Sequence, residues 1–425
     1  MTQDRWDVVI VGGGLAGYVS ANILGKAGLK TLLVEKANKV GGRAKTDIVN
    51  NQYLNIGPHA LYKKGRASSI LTDLGITITG NAPKKNSIII YHDTPYIAPF
   101  SPKGLVQSKF LSWNEKIEWI GILRKVQKLQ SGLFSHKTFQ QFVEETTNSF
   151  KIQQLLYTLG RLASYSHAPE KISASVMLTH IQLGMGGVVY VDGGWQSIID
   201  QLHNQAVTNS VQIQTGSSVK HLNAIESGEW QLKLSNQETI LSKFIIYTGS
   251  PQALNGLLGV PSKKLPFNQL EPIKAATLDV ALTKLPNPNN LFALGIDEPY
   301  YFSVHSNYAR LSHDGKSKVL HVLRYHHPNA HINGPDEKLK LEGFLETLQP
   351  GWKNYEIKSR CFPQITVNCR LSKVGDETIF SRGLSIAPGL YMAGDWASPY
   401  VMLSEAAVES GKQAALEVID KETGV

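Results

Sequence analysis

Three glycines near the amino terminus, Gly12, Gly14 and Gly17, are followed by an acid, Glu35, 18 residues after the last of them. Glycines at this spacing let a chain turn tightly, bring its backbone close to a phosphate, and pack a helix against a strand. Leu15 and Ala16 lie between them, and Lys36 follows the acid. The elements that must position these residues are also legible. Val8-Val9-Ile10-Val11 is a β-branched run suited to a buried parallel strand. The stretch from about Tyr18 to Ala27 predicts a helix stopped by Gly28, and Thr31-Leu32-Leu33-Val34 predicts a second strand ending at Glu35. Together they read as one βαβ unit carrying a dinucleotide fingerprint. The helix N-terminus offers N–H groups and partial positive charge to the phosphates, and Glu35 can accept hydrogen bonds from a ribose diol. This pattern does not separate nicotinamide from flavin dinucleotides.

The next segment, Gly41-Gly42-Arg43-Ala44-Lys45-Thr46, narrows the reading. With it the chain resembles the superfamily of flavin-dependent amine oxidases, phytoene desaturases and protoporphyrinogen oxidases, whose FAD signature extends through a Gly-Gly-Arg-x-x-Thr element. The resemblance implies that Arg43 meets the FAD pyrophosphate, where a guanidinium offsets charge with fixed donors. Asn55-Ile56-Gly57-Pro58-His59 is similar to the family's turn near the flavin ring. Near the other end, Gly389 to Trp396 predicts a short strand ending in Gly394-Asp395, followed by a helix over Ser404–Ile419. This resembles the family's second FAD motif. It implies that Asp395 binds the ribityl or phosphate region and that the helix start, near Met402 and Leu403, faces the flavin's pyrimidine edge. The family often has Glu-Gly-Ala at that turn, whereas this chain has Ser404-Glu405-Ala406-Ala407, leaving the backbone contact open. In the middle, Asp192-Gly193-Gly194-Trp195 opens a helix through about Ala206, and strands are predicted at Val211–Thr215, Ser218–Leu222, Trp230–Leu234 and Phe244–Gly249. The resemblance implies that Val219 contacts adenine through its backbone.

Three distant fragments thus converge on one nucleotide. The expected fold class is α/β: a discontinuous Rossmann-type FAD-binding domain over residues 1–80, 186–262 and 375–425, with an α+β substrate domain over 81–185 and 263–374. In the substrate domain, residues 86–92 read as a strand, and Trp113–Leu129 and Leu155–Ala163 read as helices. Trp119, Ile122, Leu123, Val126 and Leu129 share one face of the first helix, with Lys116, Arg124, Lys125 and Lys128 on the other side. Between 270 and 375 the alternation of Leu278, Val280 and Leu282 with Thr277, Asp279 and Ala281, and the run Val319–Tyr325, predict an antiparallel sheet.

Composition limits the function classes. The 425 residues are 42% hydrophobic and 18% charged, with net charge +9. A large core is affordable in such a chain and global disorder is excluded. No signal peptide and no apolar run long enough for a membrane span is read in the sequence. The expected location is cytoplasmic, with peripheral contact on the inner face of the cell membrane an option for the basic amphipathic helix. The positive charge is spread along the chain, which argues against nucleic acid. The two cysteines, Cys361 and Cys369, lie outside the C-terminal flavin motif, so FAD is expected to bind non-covalently. His326-His327 lacks partners at ligand spacing and reads as a solvated loop pair, so no metal is expected.

The expected activity is that of an FAD-dependent oxidoreductase taking a hydride from a substrate carbon to flavin N5. The Ala393–Trp396 turn and the Tyr165–Ser175 segment look most like bacterial phytoene-desaturase-like enzymes, including the hydroxysqualene dehydroxylase type. That resemblance implies an apolar, isoprenoid-type small-molecule substrate. The alternatives are an amine or amino-acid oxidase and a non-catalytic flavoprotein subunit. His59 is the one catalytic candidate, as an acid/base or substrate-orienting group, with a structural role equally open.

Overall fold

The β-branched run near the amino terminus forms the strand Arg5–Val11, in which Val8, Val9 and Ile10 are fully buried. Thr31–Val34 and Thr239–Tyr247 flank it in parallel; Gln212–Gln214 and Leu390–Met392 extend the sheet in parallel on either side. Helices cover such strands on both faces, which is why they are continuous apolar runs. Trp230–Leu234 and Val219–Ala224 add an antiparallel pair beside the first half of Thr239–Tyr247, and Ser385–Ala387 completes eight strands. The computed structural model describes residues 5–83, 87–258, 266–380 and 383–424.

The first helix is Leu15–Lys26, three residues longer at its start than expected. Gly14 is extended and serves as its N-cap, so the helix begins directly on the glycine turn. The last helix, Leu403–Thr423, lies against it: a Cβ on Gly411 would fall 2.6 Å from the Ala16 carbonyl oxygen, and Ser20 Oγ donates to Gly411 O at 2.8 Å. On its other side Asn22 Nδ2 donates to Leu202 O, in the helix Gln196–Thr208, at 2.8 Å.

A second sheet has seven strands in the order Glu356–Asn368, Ile273–Leu282, Lys318–Tyr325, Tyr300–Ser303, Phe292–Gly295, Ile88–Tyr91 and Thr94–Ile97. It is mixed and not wholly antiparallel, because Ile88–Tyr91 pairs in parallel with Phe292–Gly295. Those two strands are not joined by a hairpin, so no tight turn imposes an antiparallel direction. The predicted strand over 86–92 is shorter, since His92 and Asp93 both have positive φ and form a hairpin turn; Asn86 lies outside the described residues. The fold is α/β, with one mainly parallel sheet and one mainly antiparallel sheet.

Helices Trp113–Lys128, Phe139–Thr146, Phe150–Ser164 and Ala174–Met185 share one apolar cluster with the second sheet. Ser112 and Glu115 form a reciprocal capping box at the start of the first of these. The helix expected over Leu155–Ala163 begins at Phe150, where Ser149 caps it. Two charge assignments change. Lys116 is buried, with Nζ donating to Val106 O at 3.1 Å and lying 4.6 Å from the Trp113 ring centroid, so its stem packs while its head finds a carbonyl. His326 is not solvated: it is buried against Glu337 at 3.2 Å, while the half-exposed His327 faces Glu170 at 2.9 Å. Glu337 lies 11 residues and Glu170 157 residues from its histidine, outside any metal-ligand spacing.

Candidate flavin site

The first glycine turn leaves no room for side chains at two of its three positions. Gly12 has φ +116°, and a Cβ there would lie 2.4 Å from Thr248 Oγ1; a Cβ on Gly17 would lie 2.0 Å from Gly12 O. Gly14 differs, because an added Cβ would meet nothing within 4 Å. Open space therefore lies over the turn at the N-terminus of the helix, whose first buried residues are Leu15 and Ala16. That is the setting in which helix N–H groups hold a phosphate. Gly41 N donates to Gly13 O at 2.7 Å, and a Cβ on Gly42 would be 3.5 Å from Gly14 Cα, so the second glycine turn rests on the first.

Glu35 already has partners. Its Oε2 accepts from Gly13 N at 2.7 Å and its Oε1 from Ala37 N at 2.8 Å, so the carboxylate braces the glycine turn and keeps further lone pairs for a diol. Ser217 N donates to Glu35 O at 3.1 Å, which brings the segment leading into Val219 beside the acid. The Val219 side chain is buried and Lys36 is exposed.

Arg43 and Asp395, 352 residues apart in sequence, form an ion pair at 2.6 Å. Burial opposes charge on Arg43, and the Asp395 carboxylate overrides it, raising the guanidinium above its ordinary value. The Arg43 side chain is 45% exposed and that of Asp395 only 5%. Asp395 Oδ2 also accepts from Cys369 N at 2.7 Å, whereas Oδ1 is buried with no partner. An unpartnered carboxylate oxygen needs a donor, so a ribityl hydroxyl fits it and a phosphate oxygen does not. Gly394, with φ +140°, is held by Ser410 Oγ, which accepts from its N–H at 2.9 Å. Burial, then the nearby Asp395 carboxylate, pushes the Cys369 thiol up to about 12, so it stays protonated at neutral pH.

The third part is the turn at Gly57, which has φ +76°. Gly57 N donates to Asp279 Oδ1 at 3.1 Å, and the carbonyl of the buried Pro58 accepts from Tyr165 Oη at 2.9 Å. His59 sits between two carbonyls, with Nδ1 3.1 Å from Gly57 O and Nε2 3.0 Å from Arg43 O. Burial lowers its pKa, and the two carbonyls act in the opposite sense. A neutral His59 ring has one N–H and can donate to one of these two carbonyls, and the ring meets Trp195 edge-on at 5.3 Å.

The start of the last helix is the fourth part. Leu403 has φ +59°, a conformation that costs a branched side chain energy unless neighbours enforce it. Those neighbours are His180, whose Nε2 accepts from Met402 N at 2.9 Å, and Asn368, whose Oδ1 accepts from Leu403 N at 2.9 Å. His180, Asn368, Tyr165, Cys369 and Asp279 are absent from the motif reading. Only Asp279, a lone charge in the apolar run Leu278-Asp279-Val280, carries a signal in sequence.

Glu405 has a separate task. Its buried side chain accepts from Ala67 N at 3.0 Å, at the N-terminus of the helix Arg66–Asp73. Burial raises its pKa, against the Ala67 and Arg66 N–H groups. A carboxyl raised above its unfolded value favours folding most in acid, and that contribution is lost as pH rises through the raised value. Glu405→Gln is therefore expected to flatten this part of the pH dependence while keeping the cap, whereas Glu405→Ala loses about 1 kcal/mol of capping. Thermal melts of both variants between mildly acidic and alkaline pH read the difference; a wild-type slope unchanged by the Gln substitution counts against it.

Open space over Gly14, a cation at Arg43, an unpartnered carboxylate oxygen at Asp395 and an acid at the end of the second strand together fit FAD. Comparison with known proteins agrees. The family model described as flavin containing amine oxidoreductase matches residues 15–419. The chain is 20% identical over 293 residues to hydroxyneurosporene desaturase of Rubrivivax gelatinosus, covering 60% of this chain but only 56% of that relative's length. It is 21% identical over 456 residues to 4,4'-diapolycopen-4-al dehydrogenase of Metabacillus indicus, covering 91% of this chain and 88% of the relative. The crystal structure of an oxidoreductase from Methanosarcina mazei has the same fold, with TM-score 0.77, 18% identity, and coverage of 97% of this chain and 100% of that one. The geometry of the nucleotide cleft and the match over nearly the whole sequence lead to one conclusion: this chain belongs to the flavin-containing amine oxidoreductase family, as an FAD-dependent oxidoreductase.

Proposed function

We propose that the protein oxidises an apolar, isoprenoid-type small molecule, with FAD bound non-covalently. When bound, the flavin supplies the electron-accepting chemistry, taking a hydride from a substrate carbon at N5. The chain's own residues bind and orient. The glycine turns and Arg43 hold the diphosphate, Asp395 Oδ1 accepts from a ribityl hydroxyl, and Glu35 and the backbone near Val219 hold the adenosine end. The turn Gly57-Pro58-His59 and the start of the last helix at Met402 and Leu403 bracket the ring. His59, placed beside the Gly57 and Arg43 carbonyls, orients the turn.

One observation carries the substrate class. A single apolar cluster runs from Trp119, Ile122 and Val126, on the inner face of helix Trp113–Lys128, to Met402, with Ile365 and Leu403 packed against it. An apolar substrate entering through the helical lobe would meet mainly aliphatic and aromatic side chains, with Lys116 and Arg161 as buried cations among them. The two relatives, a hydroxyneurosporene desaturase and a 4,4'-diapolycopen-4-al dehydrogenase by name, support the same class. An amine substrate is the second reading, favoured by the edge-to-face pair Tyr165–Tyr325, at 6.0 Å, beside Pro58. Anaerobic bleaching of the holoprotein by isoprenoids, amines and amino acids decides between them. Bleaching by amines alone overturns the isoprenoid reading.

The outer face of the same helix supports uptake from a membrane surface. Trp113 and Ile117 are each 69% exposed, with Arg124 and Lys128 exposed on the same side. Residues 97–137 hold seven Lys and Arg against two acids, which complements an anionic lipid surface. No helix among the described residues is long and apolar enough to cross a membrane. Replacing Trp113 and Ile117 together by Glu is expected to weaken co-sedimentation with phosphatidylserine vesicles by about tenfold or more, without changing the melting temperature. Equal sedimentation of the two proteins counts against surface binding.

A further inference from the structure

Under the Gly57 turn lies a polar row that the oxidoreductase reading leaves without a task. Arg360, Asp279, His321 and Ser303 stand opposite one another on four adjacent strands of the second sheet. Asp279 and His321 are both fully buried. Asp279 Oδ1 lies 2.8 Å from His321 Nδ1 and accepts from Thr277 Oγ1 at 3.1 Å; its Oδ2 accepts from Arg360 Nε at 3.1 Å. The same carboxylate accepts from Gly57 N at 3.1 Å. Arg360 in turn reaches Asp47 and the carbonyl of Leu54, so the row is fastened to the strand that leads into the turn.

The arrangement sets the histidine's tautomer. A nitrogen facing a carboxylate carries the hydrogen, so in the neutral ring Nδ1 is the donor and Nε2 holds a lone pair. His321 Nε2 is buried and has no partner. A buried acceptor left unpaired is costly, and such groups mark sites where a proton or ligand is taken up. Arg360 pairs with both Asp279 and Asp47, and a proton on Nε2 adds one positive charge beside the turn. The other titratable groups facing this ring are His305, edge-on at 4.6 Å, and His59 beyond it; His305 bonds Tyr301 Oη at 3.1 Å and stacks on Tyr190 at 3.8 Å. Burial, followed by the neighbouring His321 and His59, lowers the His305 pKa well below the ordinary value, so it stays neutral and does not compete for the proton.

We propose that Asp279 and His321 form a proton-holding dyad whose Nε2 takes a proton from solvent when the flavin is reduced, with Asp279 acting as a positioning residue through Gly57. Reduction places negative charge on the ring system, and a fixed cation under the adjoining turn offsets it. The proposal rests on the flavin reading of the Gly57 turn.

The test uses the FAD-loaded protein and dithionite as the electron donor. In the unaltered protein, the His321 ring nitrogens are followed by 15N NMR in the oxidised and reduced states. The expected result is an Nε2 signal that moves from the unprotonated to the protonated position on reduction, near neutral pH. An unchanged signal overturns the dyad. The midpoint potential of the bound flavin is then measured against pH in wild type, His321→Gln and Asp279→Asn. Wild type is expected to show a proton-linked pH dependence that both variants lose. A superimposable curve in a variant that retains full FAD and melts normally also overturns it. If the protein binds no FAD at all, the flavin reading fails instead, and a binding titration identifies that case separately.

Discussion

Asp395→Ala is expected to raise the dissociation constant for FAD by about 100-fold, equivalent to about 3 kcal/mol. The substitution removes a buried carboxylate that holds the Arg43 guanidinium at 2.6 Å and the Cys369 N–H at 2.7 Å. Without it, the Cys369 N–H loses its acceptor and Arg43 loses the partner that aims it. The loss falls on FAD binding more than on folding, because the half-exposed Arg43 is solvated once its partner is gone. The unpartnered Oδ1, the proposed acceptor for a ribityl hydroxyl, disappears too. Arg43→Ala is expected to cost folding stability as well, since it leaves the buried Asp395 carboxylate with the Cys369 N–H as its remaining partner. Fluorescence titration of apoprotein with FAD, alongside thermal melts without FAD, separates binding from stability. An Asp395→Ala protein that retains stoichiometric flavin after extensive dialysis refutes the assignment.

The second expectation contrasts two glycines of one turn. Gly17→Ala is expected to destabilise the apoprotein by about 3 kcal/mol or more, because its Cβ would sit 2.0 Å from the Gly12 carbonyl oxygen. That oxygen is backbone, wedged between the first strand and Thr248, whose Oγ1 donates to it at 3.0 Å. Neither the helix nor the strand can yield without breaking the central sheet. Gly14→Ala should leave the melting temperature of the apoprotein within a degree or so of wild type, since its Cβ meets nothing within 4 Å. It should nevertheless weaken FAD by about tenfold or more, since the methyl occupies the space proposed for the diphosphate. Equal effects of both substitutions on the apoprotein melt, or tight FAD binding by Gly14→Ala, would contradict this division of roles.

The local parts of the cleft were legible because each is dictated by backbone needs within a few residues. A strand of β-branched residues, a glycine turn and the helix that follows it need no distant partner to be recognised, although that helix begins at Leu15, three residues before its expected start. The acids and amides that act at a distance were not legible. Asn368 and His180 hold the backbone at Leu403 and Met402 from elements far away in sequence, with no motif of their own. Lys116 and His326 were expected at the surface and are buried, because Lys116 Nζ finds the Val106 carbonyl and His326 Nε2 faces Glu337, partners that carry no sequence motif. Asp279 read as the polar side of an alternating strand. In the folded chain both sides of that strand are covered, and the carboxylate is instead an internal anchor for Gly57.

By itself the sequence determined the class of fold and a dinucleotide-binding turn, since glycine spacing and strand composition are set by short-range sterics and hydrophobic pattern, while the flavin came from the family resemblance. Only the tertiary structure decided which side chains complete the cleft. The Arg43–Asp395 pair, the anchor under Gly57 and the cap that Glu405 places on Arg66–Asp73 each join residues hundreds of positions apart. Their energies depend on burial and on distances between elements, quantities that exist only once the two sheets and their helices have packed.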